Sequence, residues 1–171
     1  MRKDRLTIRA RLEGLRARSA YKLEQIHARF KLIKYDNRIL DLGCWPGGWM
    51  ITAKKIVKRG YILGVDKKPI EPVPGCEFLQ VDIMEKDALK KIKERLEVAD
   101  VVLSDLAPNI TGIREIDQTR SKDLCFRAYE IASAVLRMNG NFLCKLFQGE
   151  ESKELVDVLH KEFDRVKIYK P

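Results

Sequence analysis

"RILDLGCWPGGWMITAKKIVKRGYILGVD", residues 38 to 66, decides the fold. "RILDLG" (38–43) is a short run of β-forming apolar residues ending in a turn, and "YILGVD" (61–66) repeats that pattern. Between them "GGWMITAKKIVKRG" (47–60) has helical periodicity and is expected to close at Gly60. Strand, glycine turn, helix, strand is a βαβ unit, and two strands joined that way lie parallel.

The same alternation continues toward the carboxyl end. "KKPIEPVPG" carries three prolines and reads as loop; "CEFLQVD" (76–82) is a third strand and "KDALKKIKERLE" (86–97) an amphipathic helix. "ADVVLSD" (99–105) is a fourth strand. "APNITGIREIDQTR" reads as a long polar loop before a helix over 121–140, ended by Asn139-Gly140. "NFLCKLF" (141–147) is a fifth strand, residues 150–163 a helix, and "RVKIYKP" (165–171) a final strand. The expected architecture is α/β and Rossmann-like: a mostly parallel sheet covered by helices on both faces. Ligands bind such sheets at the carboxyl ends of the strands. The predicted strands end in Asp41, Asp66, Asp82, Asp105 and Lys145, so four acids and a lysine share one rim. Lys145 stands inside an apolar run, where an ammonium costs free energy unless it reaches water or is used.

At 171 residues, with 45% apolar and 35% charged residues, the chain suits one globular domain. No apolar run is long enough to span a bilayer and the basic start never becomes a signal peptide, so neither membrane nor secretion is expected. The four cysteines have no C-x-x-C pairing and no zinc-like spacing with the histidines, which implies reduced thiols, no metal and a cytoplasmic protein. The net charge of +9 is uneven. Residues 1–34 hold eleven lysines and arginines against three acids, while residues 35–171 are nearly neutral. A basic segment on a neutral domain is the footprint of a polyanion binder, here nucleic acid. Residues 1–34 are thus a nucleic-acid-binding segment laid on a domain of residues 35–171, and the resemblance described below implies that the nucleic acid is RNA.

The glycine turn "DLGCWPGGWM" narrows the cofactor. It lacks the Lys-Ser/Thr of a phosphate loop and the spacing of the dinucleotide fingerprint. An acid ending the next strand, Asp66, suits the two hydroxyls of an adenosine ribose, and Asp82 an adenine amino group. That set fits S-adenosylmethionine, which needs no pyrophosphate cradle.

The blocks "RARSAYKLEQI" (16–26), "DLGCWPGGW" (41–49), "GVDKKPIEPVPG" (64–75), "VDI" (81–83), "LSDLAPNITG" (103–112) and "CKLFQG" (144–149) resemble, in order and spacing, the FtsJ-like (RrmJ-like) RNA 2′-O-ribose methyltransferases. The resemblance implies S-adenosylmethionine contacts at Gly47, Trp49, Asp66, Asp82 and Asp105. It maps the first three members of a catalytic Lys-Asp-Lys-Glu tetrad to Lys22, Asp105 and Lys145; because a ribose hydroxyl must lose its proton to attack, Lys145 is the expected general base, with Lys22 and Asp105 fixing it and the ribose. It implies ribosomal RNA of the large subunit as substrate, with tRNA as the alternative; a monomer is expected. Trp45 departs from the small residues usual in that turn. The family continues past "YKP" to a last strand bearing the tetrad's glutamate; that strand is expected to be missing here, and none of these residues takes the glutamate's place. Two rivals follow: a non-catalytic RNA-binding or assembly protein on the same fold, and a small-molecule methyltransferase, which leaves the basic segment unexplained. Methylation of a base amine is disfavoured, because Asn109 stands where an aromatic would stack on the base.

Overall fold

A computed structural model describes residues 2–146 and 151–170, with the backbone alone for residues 2–10 and 151. The elements run α1 (Arg2–Phe30), β1 (Arg38–Leu42), α2 (Gly48–Ile56), β2 (Tyr61–Asp66), β3 (Glu77–Gln80), α3 (Ala88–Lys93), β4 (Ala99–Ser104), α4 (Arg114–Val135), β5 (Leu136–Cys144) and α5 (Glu151–Glu162). The five strands pair in the order β3-β2-β1-β4-β5, every pair parallel. Strand order reverses between β1 and β4, so the crevice for a ligand opens at the carboxyl ends of those two strands. Asp41 and Asp105 lie there.

Side chains alternate across the sheet and fill one core on each face. Ile39, Ile62, Val101 and Leu103 meet Leu23 of α1 and Trp49, Met50 and Ala53 of α2. Leu40, Leu42, Leu63, Val65 and Val102 meet Ala88 and Ile92 of α3 and Ala128, Ile131 and Val135 of α4. The doubly covered α/β sheet expected from the alternation is therefore present, and residues 2–30 form one long helix bound to the α2 side.

What brings α1 so close is Gly48. A Cβ there would sit 2.4 Å from the Arg16 carbonyl and 2.9 Å from the Ala20 nitrogen, so the two backbones touch at this point. The Trp49 indole donates to the Ser19 carbonyl (3.0 Å) and the Thr52 hydroxyl to that of Ala20 (3.3 Å). Gly48→Ala is expected to push α1 off α2 and to cost about 1–3 kcal/mol, the usual toll of overpacking a close contact. Chemical denaturation of the variant checks it, and limited proteolysis should find α1 cut first.

Several expected boundaries move. The first crossover helix ends at Ile56, because the Lys58 and Arg59 N–H groups turn to the Tyr35 carbonyl and that of Tyr61 to Asn37. Gly60 is needed for that approach and is no helix stop: a Cβ would meet the Asn37 oxygen at 1.8 Å. The helix expected over 86–97 is regular only from Ala88 to Lys93. α4 starts at Arg114, inside the expected polar loop, because the Asp117 carboxylate accepts from the Thr111 N–H and hydroxyl and from the Gly112 N–H. It ends at Val135. Asn139, at φ 60°, and Gly140 lie within β5 at a break in register with β4, a bulge where a helix end was expected. No strand forms over 165–170 among the described residues. The alternating pattern there finds no strand partner, and Tyr169 sets its ring edge-on to Phe30 at 5.4 Å. Phe147, Gln148 and Gly149 of the "CKLFQG" block lie outside the described residues.

Candidate active site

The glycine turn is tied to β2 from the start: the N–H groups of Gly43 and Cys44 both donate to the Val65 carbonyl (2.8 and 3.2 Å). Gly43 (φ 76°) and Gly47 (φ 102°) adopt the left-handed conformation that glycine takes without strain. The turn then enters α2, whose first-turn N–H groups, Trp49's among them, have no partner within the helix. Arg16 of α1 clamps this turn from outside, Nε donating to the Pro46 carbonyl at 2.7 Å while Nη1 lies 3.8 Å from Glu71.

Asp66 ends β2 with one carboxylate oxygen on the Trp45 N–H (3.0 Å) and the other on the Lys68 N–H (2.9 Å). The fork is thus oriented, and each oxygen keeps lone-pair capacity for a further donor. Asp82 receives the Met84 N–H at 3.0 Å, with the Lys67 amine 3.7 Å away. Behind it Arg127 of α4 donates to the carbonyls of Ile83 (2.7 Å) and Glu85 (3.2 Å), holding the turn that carries Asp82. Trp49 is only 4% exposed and its indole is spent on Ser19, so any contact it makes with a ligand in the turn comes from its backbone. Trp45 is half-buried, with the Lys68 amine 4.6 Å from its ring centroid.

Across the crevice, β4 and β5 each extend by one hydrogen bond past their last residue. The Asp105 N–H donates to the Leu42 carbonyl (3.2 Å) and the Lys145 N–H to that of Ser104 (2.8 Å). These bonds set the two residues side by side: Lys145 Nζ stands 3.1 Å from Asp105 Oδ1. Lys145 is not submerged in its apolar strand. Its side chain is 32% exposed, because β5 ends at Cys144 and the lysine projects from the rim. Below it the Cys125 thiol donates to the Lys145 carbonyl (3.3 Å), anchoring the backbone to α4. The Ser19 hydroxyl of α1 reaches the other Asp105 oxygen at 3.5 Å. Lys22, one turn further along α1, is exposed and makes no ion pair among the described residues. The structure brings Asp105 and Lys145 together and places Lys22 on the helix that touches their rim, short of contact.

Asp41 is the outlier. It is fully buried, and neither carboxylate oxygen has a hydrogen-bond partner among the described residues. Burial pushes its carboxyl well above the ordinary range, and the nearby charges of Asp105 and Asp66 push it further. An acid raised by folding penalises the folded state as pH rises from the ordinary carboxyl range to its folded value; below that range the penalty vanishes. Asp41→Asn is therefore expected to raise Tm at neutral pH, by roughly 2–4 °C for each kcal/mol relieved. The gain should shrink as pH falls into the ordinary carboxyl range, which thermal melts across pH will read.

A family model described as FtsJ-like methyltransferase matches residues 15–171. The chain belongs to the FtsJ-like methyltransferase family. Among its relatives, "Ribosomal RNA large subunit methyltransferase E" of Methanothrix thermoacetophila is 43% identical over 170 residues, which are 99% of this chain and 66% of that protein. The protein of the same name from Rickettsia bellii is 41% identical over 175 residues, 98% of this chain and 77% of that one. This chain therefore spans about two thirds to three quarters of their length. A crystal structure from Plasmodium falciparum, described as a ribosomal RNA methyltransferase, superposes with a TM-score of 0.83 at 28% identity, covering 91% of each chain.

FtsJ-like methyltransferases use S-adenosylmethionine, and the residues here fit it. Asp66 is an oriented carboxylate for a diol. Gly47 leaves open a cradle that a Cβ would enter, 3.4 Å from Val73 and 3.5 Å from Arg16. Asp41 is a buried acid left without a hydrogen-bond partner among the described residues. Arg16, Ser19 and Arg127 were not singled out from the sequence. Ser19 stands three residues before Lys22, a helical spacing that could have flagged it; Arg16, six before, falls on another face of α1, and Arg127 has no sequence signal, since it acts on carbonyls more than forty positions away.

Proposed function

We propose that this chain transfers the methyl group of S-adenosylmethionine to a ribose 2′-hydroxyl of large-subunit ribosomal RNA. The observation that carries the proposal is the Lys145–Asp105 pair at the mouth of the glycine turn, beside a helix whose charge is sorted by face. Arg11, Arg18, Lys22 and Arg29 are all exposed and recur at spacings of 7, 4 and 7. On a helix of 3.6 residues per turn they form one stripe, about 27 Å long. Glu13 and Glu24 fall on the opposite flank, Glu24 paired with Lys55 at 2.9 Å. Such a stripe suits a phosphate backbone laid along α1, and it runs through Lys22 at the site's edge. In this reading residues 1–34 are the RNA-holding segment of a single domain.

In the proposed arrangement Gly47, the Trp49 N–H, Asp66, Asp82 and Asp105 hold the cofactor. Asp66 takes the ribose diol and Asp82 the adenine end. Bound there, the cofactor supplies an electrophilic methyl on a sulfonium. The protein must bring a poorly nucleophilic hydroxyl into line and remove its proton. Lys145, in its neutral form, accepts that proton. Asp105 fixes the amine's position, and Lys22 swings from the stripe to steady the ribose or its phosphate. The proposal includes a monomer acting in the reducing cytoplasm, in keeping with four free cysteines. The relatives' names support the large-subunit substrate.

The test is incubation with methyl-labelled cofactor and, in separate arms, unmodified large-subunit RNA, tRNA and small alcohols. Label in the large-subunit RNA is expected. Label in tRNA alone would redirect the substrate, and binding of cofactor and RNA without transfer would leave an assembly protein.

A further inference from the structure

Asp41 lies in the middle strand of the sheet, opposite Gly64 on β2 and Leu103 on β4. It shares the face of Ile39, beneath the glycine turn and α2. Where a side chain on Gly64 would stand, the sulfurs of Met50 and Cys44 close in on the same face of the sheet. Its ionisable neighbours are Asp105 and Asp66, Cys44 of the glycine turn, and Cys76 beyond the proline loop, itself faced by Lys54 of α2. Asp105 is paired with Lys145, and both Asp66 oxygens are held by backbone N–H groups. Among the described residues Asp41 alone of these acids has no partner.

A buried acid without a hydrogen bond is a poor structural element, since an apolar or amide side chain would serve the core at lower cost. It becomes useful if a cation arrives. The cofactor assigned above carries a sulfonium that disappears on methyl transfer, whereas its ammonium and carboxylate remain. We propose that Asp41 is a proton-linked counter-ion for that sulfonium, uncharged in the empty protein and ionised in the cofactor complex. Binding of S-adenosylmethionine then expels a proton that binding of S-adenosylhomocysteine does not. After transfer the positive charge is gone and Asp41 takes a proton back. The same residue thus helps retain the methyl donor and release its product. This inference rests on the cofactor reading of the site.

Calorimetric titration of the full chain with each ligand, in buffers of different ionisation enthalpy, counts the protons exchanged. At about pH 6.5, below the ordinary α-amino range, both ligands keep their ammonium, so the difference between them isolates the sulfonium. Net proton release with S-adenosylmethionine relative to S-adenosylhomocysteine is expected. In Asp41→Asn that difference should vanish, and affinity should fall more for the methyl donor than for the product. Equal proton exchange for the two ligands in the unmodified protein overturns the proposal and leaves the cofactor assignment standing. A difference that persists in Asp41→Asn overturns it too. Should that variant not fold, the comparison in the unmodified protein decides alone. Failure of either ligand to bind at all overturns the cofactor assignment, and this proposal with it.

Discussion

Lys145→Ala is expected to lower methyl transfer by about 10²–10⁴-fold, the usual worth of a positioned general base, while cofactor affinity changes little. The reason is where the amine sits. It stands 3.1 Å from Asp105 on the rim of the crevice, on a backbone anchored through the Ser104 and Cys125 contacts, so it can be removed without disturbing the glycine turn. Asp66 and the turn keep all their hydrogen bonds in the variant. Lys145→Arg separates a base from a mere positive charge. A guanidinium keeps the charge and the carboxylate partner but does not give up its proton in a protein, so it should not restore transfer. Recovery by arginine would mean that Lys145 acts as a fixed cation. Single-turnover rates, with cofactor binding measured separately, read both variants.

The second large effect belongs to α1. Replacing Arg11, Arg18 and Arg29 together by glutamine should leave the fold nearly as stable as before, because all three are exposed and none shares a core contact. RNA affinity should nonetheless fall by one to two orders of magnitude. The slope of log affinity against log salt should become shallower by about 2, from a loss of roughly 0.7 per phosphate contact on single-stranded RNA. The rate at saturating RNA should survive, since Lys22, Asp105 and Lys145 are untouched. Neutralising Lys31 and Lys34, which lie beyond the end of α1, is the control and should do less.

Much of this arrangement was legible because a parallel strand buried on both faces must be nearly all apolar until it ends. The residue that breaks the run then marks the rim. Asp66 and Asp105 were found that way, and both lie within one residue of a strand terminus. Lys145 also follows its strand directly, although β5 is an edge strand with no fully buried residue. Element boundaries failed where the deciding partner is remote in sequence or is polar. α2 stops at Ile56 because of carbonyls at 35 and 37, and α4 begins at Arg114 because one aspartate gathers three donors from the loop before it. Trp49 shows the same limit. Its place after the glycines resembles a cofactor contact, yet its indole is committed to α1. Nor could the sequence reveal that Asp41, one of four acids expected on the rim, is buried and alone of them lacks a hydrogen bond among the described residues, since that depends on every neighbour at once.

The direct trial of the central claim is to locate the methyl group. RNA carrying a 2′-O-methyl cannot form the 2′-alkoxide that cleaves the adjoining phosphodiester in alkali. After incubation with labelled cofactor and unmodified large-subunit RNA, complete alkaline hydrolysis should leave the label in an intact dinucleotide from a single position. Label recovered in mononucleotides would place the methyl on a base and contradict the assignment of Lys145 and Asp105 to a ribose hydroxyl.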